Sequence, residues 1–285
     1  MPEAAERGSY IARLGRRIDA VQSTLCLGVD PDPEALPEGW PRDIQGVERF
    51  ANLLIDSCVE RAAAVKINLA FFEAFGSAGI AALERVRARI PADVPFIADA
   101  KRGDIGSTVR RQAVALFDGL GADAITASPY LGGEPLAAFF ERADRFVYVL
   151  CRTTNPGAAE IQNLLVDEAP LYIQVARHAR EWAADRANVG LVVASTAPAE
   201  FERIRDAAPE LAFLVPGIGA QAGDIAAVMG HGPATAGAAG GNSGGSLVAS
   251  VSRGIAAAAL GSTEPEAALA AAAAHWANLL GTGPH

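Results

Sequence analysis

The sequence contains little cysteine and no long apolar run. Its 285 residues include three cysteines, Cys26, Cys58 and Cys151, each within a short apolar stretch, and so small and odd a number excludes a disulfide framework. The first twenty residues alternate acidic and basic side chains, and no segment is apolar over the length that a secretion signal or a membrane span needs. We therefore expect a protein of the reducing cytoplasm with no membrane partner.

Histidine is also scarce, and positive charge is in the minority. The four histidines, His178, His231, His275 and His285, are scattered, with no cysteine or carboxylate at metal-ligand spacing, so we expect no metal site. Asp and Glu number 33 against 24 Lys and Arg, which gives a net charge of -9. This charge argues against nucleic acid as a partner, and an anionic ligand would need a locally positive pocket.

Lysine is the rarest of the charged residues. Only Lys66 and Lys101 are lysines among the 24 basic residues. Arginine stays protonated under nearly all conditions, whereas a lysine can donate its proton when its surroundings favour it. The two lysines are therefore candidates for proton chemistry, although their number alone is equally compatible with chance in an arginine-rich composition.

Eight short runs rich in apolar and β-branched residues alternate with stretches of helical pattern. The runs cover residues 24–30, 64–70, 94–101, 124–131, 145–153, 189–195, 211–219 and 246–253, and the helical stretches include 47–63, 72–90, 158–186 and 264–280. This alternation predicts an α/β fold, a (β/α)8 TIM barrel that forms one domain over residues 1–285, with a Gly-rich loop at 235–246 before the last strand. A doubly wound sheet is the alternative, but no GxGxxG turn follows the first run.

Polar residues follow or end most of these runs. In a (β/α)8 barrel the active site lies at the carboxyl ends of the strands, so these residues are the candidate site. They are Asp30, Lys66, Asn68, Asp99, Lys101, Ser128, Thr153, Thr154, Ser195, Ser252 and Arg253. Both lysines of the protein belong to this set.

Four of the charged residues form a compact group. Asp99 and Lys101 are two residues apart in a predicted extended strand, so their side chains should point to the same side. Asp104 follows shortly after, and Lys66 ends the neighbouring strand. Two carboxylates and two ammonium groups placed this way hold one another ionised and in position. The alternative interpretation is a structural ion-pair network, which also perturbs pKa values.

The turns after the seventh and eighth strands have the composition of a phosphate site. They read PGIGAQAGD, over residues 216–224, and SVSRGI, over residues 250–255. Gly217 and Gly219 permit close backbone approach, Gln221 offers an amide, and Arg253 has a planar guanidinium that matches phosphate oxygens. Turns at this end of a (β/α)8 barrel often bind phosphate.

The string DAKRGDIGST at residues 99–108 resembles the signature of the orotidine 5'-monophosphate decarboxylase family. The segments LGVDPDP, VKINLAFFE, SPYLGG, CRTTNPGA, PGIGAQ and SRGI resemble its longer bacterial subgroup, type 2, so the resemblance runs from about residue 24 to 255. It implies a carbon–carbon lyase that converts orotidine 5'-monophosphate to uridine 5'-monophosphate and CO2 in pyrimidine biosynthesis, with no cofactor and no metal.

The same resemblance implies a role for each candidate residue. Lys66, Asp99, Lys101 and Asp104 match the family's charged tetrad, in which Lys101 would protonate carbon 6 of the pyrimidine. The position that matches Asp104 serves the partner subunit's site in this family, which implies a homodimer with shared active sites.

The substrate-binding residues are carried over in the same way. Asp30 would bind the ribose hydroxyls, and Thr108 would reach the ribose across the subunit interface. Thr154 would lie near the pyrimidine, at a position where the family more often has serine. Gln221 and Arg253 would bind the phosphate.

Two other functions remain open at this point. The D-x-K-x-x-D element is shared with related sugar-phosphate enzymes, so the chain could be a magnesium-dependent decarboxylase or aldolase that uses the same carboxylates as metal ligands. It could also be a non-catalytic nucleotide-binding barrel whose charged group is structural.

Overall fold

Strands and helices alternate along the whole computed structural model, which describes residues 8–194, 198–218, 225–236 and 244–282. The strands are β1 (Leu25–Val29), β2 (Ala64–Asn68), β3 (Phe96–Arg102), β4 (Ala124–Ala127), β5 (Phe146–Arg152), β6 (Leu165–Val166), β7 (Ala169–Pro170), β8 (Val189–Val193), β9 (Ala212–Val215) and β10 (Leu247–Val251). The helices are α1 (Tyr10–Val21), α2 (Ile44–Cys58), α3 (Ala70–Glu73), α4 (Gly76–Arg89), α5 (Gly106–Ala113), α6 (Gly133–Phe140), α7 (Ala158–Gln162), α8 (Leu171–Ala183), α9 (Pro198–Ala207), α10 (Ile225–His231), α11 (Arg253–Ala256) and α12 (Pro265–Leu279).

The longer strands form one closed parallel barrel in the order β1-β10-β9-β8-β5-β4-β3-β2. This confirms the predicted (β/α)8 barrel, and it excludes the open doubly wound sheet because β1 pairs with β10, with Leu25 opposite Ala249. Strands covered on both faces read as nearly continuous apolar runs, and each residue of β1, β8 and β10 is buried. All eight predicted runs correspond to barrel strands.

Helix α1 fills the amino-terminal end of the barrel. Its apolar residues Tyr10, Leu14 and Ile18 recur every four positions, so they lie on one face, and all three are buried. The ring of Tyr10 stacks on Phe146 with centroids 5.0 Å apart, and its hydroxyl lies 3.2 Å from the hydroxyl of Tyr148. Because these side chains occupy the amino-terminal end, the polar strand ends lie at the opposite end of the barrel.

The segment after β5 differs from the prediction of a helical stretch over residues 158–186. Here a short helix, α7, is followed by the antiparallel pair of β6 and β7, and only then by α8. Asp167 and Glu168 have φ angles of 48° and 66°, as the two central residues of a tight hairpin turn require. Pro170 then precedes α8, because proline cannot occupy a helix interior. Of the predicted Gly-rich loop, residues 237–243 lie outside the described residues.

The three cysteines are free and buried. Burial raises the pKa of Cys26 and of Cys58 to about 12. Among the described helices none is long and apolar enough to cross a membrane. Within the same residues, no group of three or more His, Cys, Asp or Glu side chains is arranged to hold a metal ion.

Candidate active site

Three charged side chains contact one another at the carboxyl end of the barrel. Asp99 in β3 accepts a hydrogen bond at Oδ2 from Lys66 Nζ of β2 at 2.9 Å and at Oδ1 from Lys101 Nζ at 2.7 Å. Asp30, directly after β1, has its Oδ1 atom 3.7 Å from Lys66 Nζ. The structure therefore brings together four of the predicted site residues.

Strand β3 does not stay extended through this group. The register between β3 and β4 shifts, because Ala98 pairs with Ile125 whereas Arg102 pairs with Ala127. Within this stretch, Lys101 has a φ angle of 46°. Asp99 and Lys101 are in contact, as alternation predicts, but the backbone at Lys101 is left-handed rather than extended, which alternation does not predict. A residue other than glycine in this left-handed region costs roughly 1–2 kcal/mol, and such strain is often found at functional sites.

Thr126 in β4 contacts the same group and is absent from the sequence-based candidates. Its Oγ1 atom donates to Asp99 Oδ1 at 2.8 Å and accepts from the backbone N–H of Lys101 at 2.9 Å. A signal was present in the sequence, since Thr126 is the only polar residue of β4. It also shares the alternation phase of Ser128, which was a candidate.

Burial and neighbouring charges have opposite effects on the pKa values of Lys66 and Asp99. Burial alone would raise the pKa of Asp99, but the ammonium groups of Lys66 and Lys101 outweigh it and hold this pKa well below its usual range. Burial alone would lower the pKa of Lys66, but Asp30 and Asp99 outweigh it and raise this pKa above its ordinary value. The side chain of Lys101 is 50% exposed. The site thus presents the half-exposed side chain of Lys101 beside a buried ion pair in which each charge favours the ionised form of the other.

Asp30 has an unused acceptor. Its Oδ1 atom is buried and has no hydrogen-bond partner among the described residues. Buried polar atoms in folded proteins nearly always have a partner. The Asp30 side chain as a whole is 25% exposed, so a ligand hydroxyl can approach it at its exposed part rather than at Oδ1.

Asp104 and Thr108 do not join the ion group of their own chain. Asp104 lies after β3, where its Oδ1 atom accepts from the backbone N–H of Ile105 at 2.7 Å, and no ion pair of the described residues includes it. Thr108 is exposed in α5. Asp104 itself is half-buried.

The remaining predicted site residues follow later strands. Thr154 is half-buried after β5, and Arg253 is exposed at the start of α11, immediately after β10. Gly217 follows β9 with a φ angle of 90°, a conformation that favours glycine. Gln221 lies outside the described residues, as do Gly219 and Ser195.

A hydrogen-bond network supports the chain just before Thr154. Gln162 of α7 accepts from the backbone N–H of Thr153 at 3.0 Å and donates to Thr153 Oγ1 at 2.8 Å. Arg152 pairs with Glu200 at 2.8 Å. Gln162 is a second supporting residue that the sequence analysis missed, because it lies ten residues beyond β5 in a helix.

Comparison with known proteins gives concordant results. Residues 23–280 match the family model of the Orotidine 5'-phosphate decarboxylase / HUMPS family. The Orotidine 5'-phosphate decarboxylase of Herpetosiphon aurantiacus is 50% identical over 210 residues, which cover 73% of this chain and 78% of that protein. The Thermomicrobium roseum protein of the same name is 48% identical over 219 residues, which cover 76% of this chain and 78% of that protein.

Solved structures agree with the sequence comparisons. The crystal structure of a Toxoplasma gondii protein superposes with a TM-score of 0.86 at 35% identity and covers 96% of each chain. The structure of Leishmania donovani OMP decarboxylase gives a TM-score of 0.78 at 37% identity, over 95% of this chain and 98% of that one.

Proposed function

This chain belongs to the Orotidine 5'-phosphate decarboxylase / HUMPS family, and we propose that Lys101 is the acid that completes its reaction. The reaction is the decarboxylation of orotidine 5'-monophosphate to uridine 5'-monophosphate and CO2 in pyrimidine biosynthesis, a carbon–carbon lyase step. The observation that carries the proposal is the accessible ammonium group of Lys101, 2.7 Å from the buried carboxylate of Asp99.

The chemical problem is the electron pair left on the pyrimidine ring. When the bond between carbon 6 and the carboxylate breaks, CO2 leaves and the pair stays on carbon 6, where no cofactor delocalises it in the proposed mechanism. The ammonium group of Lys101 stabilises this carbanion by its charge and then transfers a proton to carbon 6. Lys101 is left as a neutral amine and takes a proton from water. An arginine would not give up its proton readily.

Asp99 contributes in two ways. Its carboxylate would lie beside the substrate carboxylate, and two like charges 4 Å apart repel by about 4 kcal/mol at a surface-like dielectric, or about three decades of rate if fully relieved. In this site two ammonium groups and the Thr126 hydroxyl already donate to Asp99, and they offset part of that repulsion. We therefore assign the larger share of catalysis to stabilisation of the carbanion, with Lys66 holding Asp99 in place.

The nucleotide would be held by residues around the mouth. We propose that the exposed part of the Asp30 carboxylate accepts from a ribose hydroxyl, that Thr154 contacts the pyrimidine, and that Gln221 and Arg253 bind the phosphate. Binding energy from a phosphate that does not react can be used to order the site and exclude water around the reacting atoms.

We further propose a homodimer in which Asp104 and Thr108 complete the partner's site. Asp104 makes no ion pair with any described residue of its own chain, although it lies only three residues after Lys101. Large apolar side chains are exposed at the same end of the barrel, with Ile105 at 63% and Tyr130 at 84% of their full accessibility. Exposed apolar patches of this kind are typical of protein–protein contacts.

Two broader proposals concern the chain as a whole. We propose that residues 1–285 form a single domain, because the barrel strands extend from Leu25 to Val251 and α12 packs against α2. We propose a cytoplasmic protein without a nucleic-acid partner, in keeping with three free thiols and a net charge of -9.

Mixing two inactive variants tests the shared site. Lys101→Ala and Asp104→Ala should each be nearly inactive alone. After subunit exchange, a mixed dimer should contain one intact site, so activity should recover to about a quarter of the wild-type value at equal concentrations, because half of the dimers are mixed and each has one good site. Decarboxylation assays and light scattering provide the measurements. No recovery despite demonstrated exchange would contradict the shared site.

Removing the Arg253 guanidinium should mainly weaken binding. Loss of hydrogen bonds to a charged phosphate costs about 2–3 kcal/mol, so Arg253→Ala should raise KM roughly 30- to 100-fold. Steady-state kinetics with orotidine 5'-monophosphate measures this change, and the nucleoside without phosphate is the control. An equally large effect on the nucleoside would show that Arg253 does not bind the phosphate.

A further inference from the structure

One buried hydroxyl joins the carboxylate and the backbone that orient Lys101. Thr126 is 1% exposed, so it does not reach a bound nucleotide, yet it contacts both Asp99 and Lys101. We propose that Thr126 is a positioning residue, whose hydroxyl sets the geometry of proton transfer to carbon 6. This inference rests on the roles proposed above for Asp99 and Lys101.

The direction of both hydrogen bonds is fixed by chemistry. An ionised carboxylate can only accept, so the hydroxyl must donate to Asp99 Oδ1 at 2.8 Å. A backbone N–H can only donate, so the hydroxyl must accept from Lys101 at 2.9 Å. A hydroxyl has one donor and two acceptor sites, so Thr126 can make both bonds at once, and valine at this position could make neither.

The hydrogen bond from the N–H of Lys101 to Thr126 replaces a backbone contact between β3 and β4 that is lost where their register shifts. Pairing between β3 and β4 is interrupted from Ala98 to Arg102, so the backbone of β4 does not hold the intervening residues in the regular way. The N–H of Lys101 is instead held by the side chain of Thr126. The left-handed backbone of Lys101 is thereby tied to the barrel at the residue that carries the ammonium group.

The hydrogen bond from Thr126 to Asp99 matters after Lys101 has given its proton to carbon 6. Asp99 Oδ1 receives hydrogen bonds from both Lys101 and Thr126. When Lys101 becomes a neutral amine, its attraction for the carboxylate weakens, but Thr126 and Lys66 still hold Asp99. The carboxylate therefore keeps its place while Lys101 is protonated again. A role of this kind acts on kcat rather than on nucleotide affinity.

Two substitutions at Thr126 separate the hydroxyl from the volume of the side chain. Thr126→Val keeps the branched shape and removes the hydroxyl, and we expect kcat to fall about 10- to 100-fold, the size of effect that slight misplacement of reacting groups produces. KM and the Kd for uridine 5'-monophosphate should stay within about twofold. Thr126→Ser restores the hydroxyl and should return kcat to within about threefold of wild type.

Thr24→Val is the matched control. Thr24 is also fully buried, and its hydroxyl donates to the carbonyl of Leu280 at 3.2 Å, but it precedes β1 at the opposite end of the barrel. Its replacement removes an equivalent hydroxyl and should leave kcat unchanged. Thermal melting of all three variants shows how much folded protein each assay contains.

Four results would overturn the inference about Thr126. A Thr126→Val protein with wild-type kcat would overturn the inference, as would a loss of kcat that serine does not restore or that Thr24→Val reproduces. A rise in KM at constant kcat would assign Thr126 to binding and would also overturn it. If Lys101→Ala keeps its activity, the proposed role of Lys101 itself fails. An inactive Lys101→Ala protein beside a fully active Thr126→Val protein refutes only the role of Thr126.

Discussion

Replacing Lys101 with alanine should nearly abolish decarboxylation and leave nucleotide binding largely intact. The ammonium group is proposed both to stabilise the carbanion and to supply the proton, and the two contributions together amount to about 10⁴- to 10⁶-fold in kcat. Uridine 5'-monophosphate lacks the substrate carboxylate, so its affinity should change little. Pyrimidine absorbance measures turnover, and calorimetry measures binding of the product.

Two controls define what this result means. Lys101→Arg keeps the positive charge but not the transferable proton, so it should also fail to complete turnover, whereas recovery of the rate would assign Lys101 an electrostatic role only. The wild-type reaction should be insensitive to chelator, and loss of activity on adding chelator would favour the magnesium-dependent alternative. Substantial residual decarboxylation by Lys101→Ala would refute the proposed proton donor.

The barrel could be predicted because its physical signal is local and repeated. A parallel strand covered on both faces must be apolar along its length, and that requirement is visible in each of the eight runs without knowledge of their neighbours. Part of the site could be predicted for a similar reason. Lys66 and Lys101 are the only lysines in the chain, and both belong to neighbouring strands of a barrel whose carboxyl end is where such enzymes place their chemistry.

The details that orient these groups depend on contacts between strands. No glycine in the sequence marks the left-handed backbone at Lys101. This conformation occurs where the pairing of β3 with β4 is interrupted and the N–H of Lys101 donates to Thr126 instead. Alternation predicted the contact between Asp99 and Lys101, but not the left-handed backbone that accompanies it. Asp104 makes no ion pair among the described residues, so contacts within one chain carry no sign of the role that we propose for it in the partner's site.

A buried arginine far from the site should have the largest effect on stability. Arg205 of α9 is 3% exposed, with its Cζ atom 3.5 Å from the ring centroid of Phe213. Its guanidinium donates to the carbonyls of Ala208 and Leu211, both at 2.8 Å, and of His231 at 3.1 Å. It also donates to the carbonyls of Pro209 and Gly232. One side chain thus satisfies carbonyl groups of the segment between α9 and β9 and of the end of α10.

Arg205→Met keeps the apolar stem but removes these donors and the charge. Several buried carbonyl groups lose their partner, so we expect a loss of about 3–5 kcal/mol in the free energy of unfolding, and a fall in Tm of roughly 10 °C. The matched control is Arg203→Met on the exposed face of the same helix, which should change stability by less than about 0.5 kcal/mol. Thermal and denaturant unfolding of both variants make the measurement.

The kinetic result separates this effect from a change at the site. Arg205 binds carbonyl groups beside the amino-terminal end of β9, whereas Lys101 and Asp99 lie at the carboxyl ends of the strands. Below its lowered Tm, the Arg205→Met protein should therefore keep the wild-type kcat per folded molecule. Equal melting of the Arg205 and Arg203 variants would show that these buried carbonyl groups find other partners.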